Sequence, residues 1–154
     1  KATADEGELF SGMGSETYHR SREEGFGVGR TPRWSAGVMA KVFECLEEAC
    51  PEAAWDWTSL DSARRKFPGI GQAWARVRTK LPRCVEINLV GPKGAFNLSQ
   101  VEEFGARTAL RTEHADWDAI RFEYSSLNDF SAPRWTDFLA LHAESFRRTM
   151  KNRA

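Results

Sequence analysis

The chain has 154 residues, of which 22 are lysine or arginine and 22 are aspartate or glutamate, so its formal net charge at pH 7 is zero. This length fits one domain with a single hydrophobic core, and the charge balance excludes a chain that is basic throughout. No apolar run approaches the ~18 residues of a membrane-spanning helix, and the three cysteines, Cys45, Cys50 and Cys84, argue against a disulfide framework and favour a cytoplasmic protein.

Residues 1–33 are rich in Gly, Ser and Glu and contain "SGMGSE" and "GFGVGR" with few large apolar side chains. This composition predicts a linker or loosely ordered arm, followed by a single α+β domain over residues 34–154. The glycines of "GFGVGR" lack the preceding strand and following helix that a dinucleotide-binding turn requires. We expect the chain to be a piece of a longer polypeptide.

The first strongly periodic segment follows Ser35, which is a predicted helix N-cap. Apolar residues then recur at helical spacing until Pro51. These residues are Val38, Met39, Val42, Phe43, Leu46 and Cys50. The pattern predicts a helix with one buried stripe.

Three shorter segments follow this helix. "AAWDWTS" predicts a short extended run with Trp55 and Trp57 on one side, and "SLDSARRKF" predicts a brief helix that ends at Pro68. "AWARVRTK" alternates with a period of two, which predicts a strand with one covered face and one solvated face. On the solvated face we expect Trp74, Arg76, Arg78 and Lys80.

A second strand, "VEINLV", follows after a connection short enough for an antiparallel hairpin. It leads into Gly91-Pro92-Lys93-Gly94. A phosphate-binding Walker loop needs a longer spacing between its glycines and a hydroxyl residue after its lysine, and both are missing here. "GPKG" therefore predicts a strand-joining turn with Lys93 at its tip, where a lysine can still meet a phosphate as a point charge.

The last third of the chain continues with helices and one strand. "NLSQVEEFG" has capping-box spacing between Ser99 and Glu102 and predicts a short helix, and "AIRFEYS" predicts a half-buried strand. Ser131 and Pro133 open a final helix. Its apolar stripe is Trp135, Phe138, Leu139, His142, Phe146 and Met150.

Long helices near both ends with strands between them predict an α+β fold. We expect a two-layer sandwich, in which a mainly antiparallel sheet carries its helices on one face. The other face is then open and presents the outward residues of "AWARVRTK".

The segment from Arg64 to Lys93 is strongly basic, because Glu86 is its only acidic residue. Basic residues at alternate strand positions point the same way about every 7 Å, which suits the phosphates of a nucleic-acid strand, and Trp74 can stack on a base. The other interpretation is a solvated face that discourages edge pairing or forms ordinary salt bridges.

Catalytic and metal-binding patterns are weak in this sequence. His19, His114 and His142 are far apart, and the position of His142 on an apolar stripe predicts a core histidine. Glu86-Ile87-Asn88 lacks the lysine of a nuclease Glu-x-Lys strand, for which Asp56 or Asp61 would be the second acid. We predict no catalytic residue, no metal and no cofactor, and an active site assembled in space stays an alternative.

Three segments, "WARVRTKLPRCVEINLVGPKGAF", "FGARTAL" and "DWDAIRFEYSS", resemble an accessory α/β domain of UvrA-type excinuclease ATPases and related bacterial proteins. The resemblance covers about residues 34–146 and depends on Thr79 and Lys80, on the Gly-Pro-Lys-Gly turn, and on Phe104 and Gly105. The chain has no Walker motif, no ABC signature and no zinc-binding cysteine set. The resemblance therefore implies an appended module of a larger protein and not the ATPase.

We expect a non-catalytic accessory module of a larger bacterial protein. It binds DNA, or docks within a DNA-repair or nucleic-acid-processing complex, through the basic sheet face and without a membrane partner. The predicted contact residues are Trp74, Arg76, Arg78, Lys80 and Lys93. The alternative is a protein–protein interaction domain with a tryptophan-rich patch, because six tryptophans exceed the usual need of a small core. The candidates for that patch are Trp34, Trp117 and Trp135.

Overall fold

The computed structural model describes residues 14–25, 31–97, 107–114, 116–130 and 135–153. Six strands form one antiparallel sheet in the order β1-β2-β3-β4-β6-β5. They are β1 (Ala54–Asp56), β2 (Ser62–Lys66), β3 (Ala75–Arg78), β4 (Val85–Pro92), β5 (Arg107–His114) and β6 (Trp117–Tyr124). The helices are α1 (Glu16–Arg20), α2 (Val38–Ala49) and α3 (Trp135–Arg153), with 3₁₀ turns at Ser21–Glu24 and Leu127–Phe130.

Helices α2 and α3 pack together against one face of the sheet, so the predicted α+β two-layer sandwich is confirmed. The core lies between the two layers and is rich in aromatic rings. Phe122 of β6, for example, meets Trp135 of α3 edge-on, with 5.0 Å between the ring centroids. No helix in the described ranges combines the length and the apolar character that crossing a membrane demands.

Helix α2 has the predicted buried stripe, and Val38, Val42, Phe43 and Leu46 are fully buried. Its start differs from the prediction. The N-cap is Gly37, whose φ of 87° lies in the left-handed region that favours glycine, and it caps without a side chain. Ser35 instead accepts a backbone hydrogen bond from Val38 through its carbonyl, and the first turn of the helix is therefore closed by the main chain.

The helix predicted over "SLDSARRKF" is wrong, because Ser62–Lys66 forms strand β2. Strand β2 pairs with both β1 and β3, and this pairing outweighs the helical propensity of its alanine and arginines. Ala63 and Arg65 point to the helix layer. The buried guanidinium of Arg65 donates to the Cys50 carbonyl at 2.8 Å and lies over the Trp55 ring.

Strands β3 and β4 form the predicted antiparallel hairpin, and β6 pairs with β4 on its other side. The turn predicted at "GPKG" is present at the end of β4, with Lys93 exposed at its tip. Gly94 has a φ of 83°, and its N–H donates to Asp118 at 2.9 Å. The chain then passes to β5, which lies beyond β6, and so the turn does not join neighbouring strands. The helix predicted from Asn97 to Gly105 falls almost entirely outside the described residues.

Part of the predicted arm packs against the domain. Tyr18 and His19 of α1 are buried. The His19 Nε2–H donates to the Ser59 carbonyl at 2.7 Å, and Nδ1 lies 2.7 Å from the Thr79 hydroxyl. For residues 14–25, therefore, the prediction of a loosely ordered segment is wrong, because α1 contributes a buried tyrosine and a buried, hydrogen-bonded histidine.

Helix α3 buries Trp135, Leu139, His142 and Phe146, as its stripe predicts. His142 is a core histidine, packed against Phe96 at 5.1 Å and against Trp74 at 6.0 Å between ring centroids. Burial lowers the pKa of His142 from 6.5 to about 4, so its ring is neutral at physiological pH.

Candidate functional site

The face of the sheet opposite the helices carries a cavity of about 470 Å³. Strand alternation directs Arg76 and Arg78 of β3 to this face, while Ala75 and Val77 point into the core. The cavity is lined mainly by polar and charged side chains, including four arginines: Arg64, Arg76, Arg78 and Arg121. Its volume lies within the roughly 300–1,000 Å³ of small-ligand sites.

Strand register places three of these arginines in one line across the sheet. Arg64 of β2 is opposite Arg76 of β3, Arg76 is opposite Asn88 of β4, and Asn88 is opposite Arg121 of β6. We call this line of four side chains the arginine row. With strands about 4.8 Å apart, it spans about 14 Å.

A buried carboxylate lies beside the arginine row. Glu86 is next to Asn88 on the same face of β4, and its side chain is only 4% exposed. It accepts a hydrogen bond from the Asn88 amide at 2.8 Å, and its oxygens lie 3.5 Å from Arg78 and 3.8 Å from Arg121. Glu86 thus orients two of the arginines and offsets part of their charge.

Two guanidinium groups keep hydrogen-bonding capacity at the cavity. Among the described residues, the buried Nε–H of Arg64 has no acceptor. The Nε–H of Arg121 also lacks a hydrogen bond, although it lies 3.4 Å from a carboxylate oxygen of Glu123. Both nitrogens are shielded from solvent, so the hydrogen-bonding capacity that an anion in the cavity can meet is that of the other guanidinium nitrogens.

The cavity also has an apolar end. Val90 of β4 is opposite Ala119 of β6, one step along the strands from Asn88 and Arg121. Trp117 lines the same end and packs against Phe146 of α3, with 6.1 Å between ring centroids. Charged and apolar surfaces therefore lie side by side in one cavity.

The five predicted contact residues have different positions. Arg76 and Arg78 line the cavity. Lys80 lies beside it, with Nζ 3.9 Å from the exposed Asp61 carboxylate. Lys93 is exposed at the turn after β4. Trp74 is fully buried, and the prediction that its ring stands on the open face is wrong.

The side chain of Trp74 does not follow the alternation between the two faces of the sheet, because strand β3 begins only at Ala75. Its N–H donates to the Arg65 carbonyl at 3.0 Å, and its own carbonyl accepts from Val90 at 3.3 Å. The indole turns into the core beside Phe67 and His142. A stacking platform for a base is therefore not available at this position.

Sequence reasoning missed Arg64, Asn88 and Arg121 as members of this site. The sequence predicts a helix around Arg64, because Ser62–Lys66 contains a single apolar residue and shows no period of two. Arg121 could not be recognised from a local sequence pattern. It lies 45 positions after Arg76 in the sequence, and it joins the arginine row only because β6 pairs with β4.

Of the acids considered for nuclease chemistry, Asp61 and Glu86 line the cavity, and Asp56 does not. Asp56 accepts hydrogen bonds from Thr58, which with Lys66 lower its pKa to about 2. Within the part of the chain that the structure describes, no group of three or more His, Cys, Asp or Glu side chains is arranged to hold a metal ion. The cysteines are free and buried, and burial raises the pKa of each thiol.

The tryptophans considered for a contact patch are inside the domain. Trp34, Trp117 and Trp135 are each at most 5% exposed. Trp55 and Trp57 are half-buried and stack at 4.8 Å between ring centroids.

Searches against protein-family models, curated proteins and solved structures find no significant match to this chain.

Proposed function

We propose that the open sheet face binds the phosphate backbone of nucleic acid, and that the chain is a non-catalytic accessory module of a larger bacterial protein that processes or repairs DNA. The single observation that carries the proposal is the arginine row: Arg64, Arg76 and Arg121 lie in register on three strands around one cavity. The resemblance to UvrA-type accessory domains supports the wider context.

Arginine suits this role because its planar guanidinium donates two parallel hydrogen bonds to a phosphate and keeps its charge at all relevant pH values. Four arginines surround the cavity, and only Asp61 and Glu86 among its lining residues are acidic. Glu86 is nearly buried beneath its partners, so the cavity still presents positive charge to solvent.

The test is fluorescence anisotropy with labelled single-stranded and duplex oligonucleotides at about 50 and 200 mM salt. We expect binding that weakens steeply with salt. Removal of both Arg76 and Arg78 by alanine substitution should lower the affinity at least about tenfold and, because two phosphate contacts are lost, make the salt slope shallower by about 1.4–1.8 units.

The matched control is the double substitution Arg147→Ala and Arg148→Ala on α3, in the helix layer. Both arginines pair with Glu144 of the same helix. This variant loses the same net charge as the Arg76 and Arg78 variant, and it should bind as the wild type does. No binding at low salt, or equal loss in both variants, would refute the proposal.

A further inference from the structure

Resting on the proposed function, the geometry points to single-stranded nucleic acid as the ligand: the arginine row holds the backbone and the apolar end of the cavity receives one base. The backbone contacts and the base contact come from different ends of the same cavity. Asn88 and Arg121 mark the charged end, and Val90 and Ala119 mark the apolar end.

The spacing of the two ends fits one nucleotide unit. Val90 is two residues from Asn88 along β4, which is a separation of about 7 Å. A base is joined to its own phosphate through one sugar, so it reaches this distance without leaving the cavity. Arg64, Arg76 and Arg121 then lie along the backbone on the charged side of that unit.

A duplex meets these requirements poorly. It is a stiff rod, and its bases stay paired and stacked inside it, so none can enter a cavity without being extruded at an energetic cost. The arginines line a concave surface and do not project from a helix that could enter a groove. A single strand is flexible and its bases are exposed. Proteins that bind single strands combine a positively charged groove for the backbone with an apolar surface for the bases.

The polar lining beside the apolar end supplies contacts for a base edge. The Asn88 amide, which is held by Glu86, is next to the apolar end along β4, and Gln72 lines the same cavity. These groups offer both donors and acceptors. They can pair with any base, which favours a site that takes single strands of many sequences.

The experiment compares three probes of about 12 nucleotides on the wild-type chain: a labelled single strand, its duplex, and the same strand with abasic sites at its centre. We expect the single strand to bind at least about tenfold more tightly than the duplex. The abasic strand should bind roughly fivefold or more weakly than the intact strand, because it keeps every phosphate and lacks the base.

A variant tests the same point from the protein side. Ala119→Phe fills the apolar end and should weaken binding of the intact strand to the level of the abasic strand, while the salt slope stays unchanged. Arg148→Ala is the control. Ala119 is buried, so a larger side chain at this position also affects folding. The abasic comparison on the wild-type chain therefore tests base binding independently of this variant.

The outcomes separate the two proposals. If neither the single strand nor the duplex binds, the proposed function is wrong and this inference falls with it. If the duplex binds as tightly as the single strand, or the abasic strand as tightly as the intact one, this inference is overturned and backbone binding stands.

Discussion

At the scale of single residues, Trp74 and Arg76 are two positions apart in the chain but lie in different parts of the molecule. Trp74 is fully buried among core rings, and Arg76 faces solvent at the cavity. The difference arises because Trp74 precedes the first paired residue of β3 and is free of its alternation. A binding site inferred from composition alone would count both residues.

The first prediction compares these two positions. Trp74→Ala should lower the free energy of unfolding by about 3–5 kcal/mol, because it leaves a large cavity in the core. Arg76→Ala should change it by less than about 1 kcal/mol, because an exposed cation makes only weak pairwise interactions. Urea denaturation measures both, and equal effects would contradict the assignment of Trp74 to the core.

A second prediction concerns His142, whose pKa falls to about 4 on burial. An unfolded histidine titrates near 6.5, so between these pH values the unfolded chain binds a proton that the folded chain does not. Protonation of the unfolded chain therefore lowers the free energy of unfolding as the pH falls from 6.5 to about 4. The full decrease is about 3 kcal/mol, and above pH 6.5 it is absent.

The measurement is the free energy of unfolding of the wild type and of His142→Leu at pH 7 and at about pH 4.5. The leucine variant lacks the titrating ring, so it should lose less stability on acidification. The Trp74 carbonyl keeps its hydrogen bond from Val90 in the variant. Identical acid sensitivity of the two proteins would show that His142 does not titrate with a depressed pKa.

A third prediction concerns the turn after β4. Lys93→Ala should change the free energy of unfolding by no more than about 0.5 kcal/mol, since Lys93 is an exposed turn residue. Gly94→Val should cost more than 1 kcal/mol, because a β-branched residue is disfavoured at a φ of 83°. The Cβ itself meets no atom within 4 Å, so the cost is backbone strain alone. Thermal denaturation would show the order.

At the scale of elements, helix α1 is held against the sheet layer by a few specific contacts, because it is too short to bury an extended face. It has only five residues, yet Tyr18 and His19 are buried. His19 bridges the Ser59 carbonyl and the Thr79 hydroxyl, which lie in two loops beside β3. A short helix of this kind is stable only through such tertiary contacts.

The fourth prediction tests this attachment. His19→Ala should lower the free energy of unfolding by about 2 kcal/mol, because it leaves buried polar groups without partners. Amide hydrogen exchange should accelerate in α1 and remain slow in β4, which lies at the centre of the sheet. Glu16→Ala, which removes only an exposed ion pair with Arg20, serves as the control and should leave exchange unchanged.

At the scale of the whole molecule, charge is balanced in total and unbalanced in space. The net charge is zero, while four arginines converge on one cavity of the open face. We therefore expect polyanions to bind through this face, because the field near a charged cleft depends on local and not on total charge. Salt should reverse such binding.

The fifth prediction uses a heparin column. Substituting Arg76 and Arg78 with alanine should lower the salt concentration needed for elution. The same change at Arg147 and Arg148 should have little effect, although the net charge of the two variants is identical. Coincident elution of both variants would show that total charge, and not the open face, governs the interaction.

Local sequence patterns were enough to predict the α+β class, helices α2 and α3, strands β3, β4 and β6, and the burial of His142. Each of these is encoded in a local period of 3.6 or 2 residues, which can be recognised without knowing what the segment packs against. Even the basic character of β3 is a property of four consecutive residues.

The strand conformation of β2, the burial of Trp74 and the composition of the arginine row depend instead on tertiary contacts. Arg64, Asn88 and Arg121 meet Arg76 because β2, β4 and β6 assemble around β3 in one register. Strand order and register arise from contacts between distant parts of the chain, and a local pattern carries no information about them. The site is therefore a property of the assembled sheet.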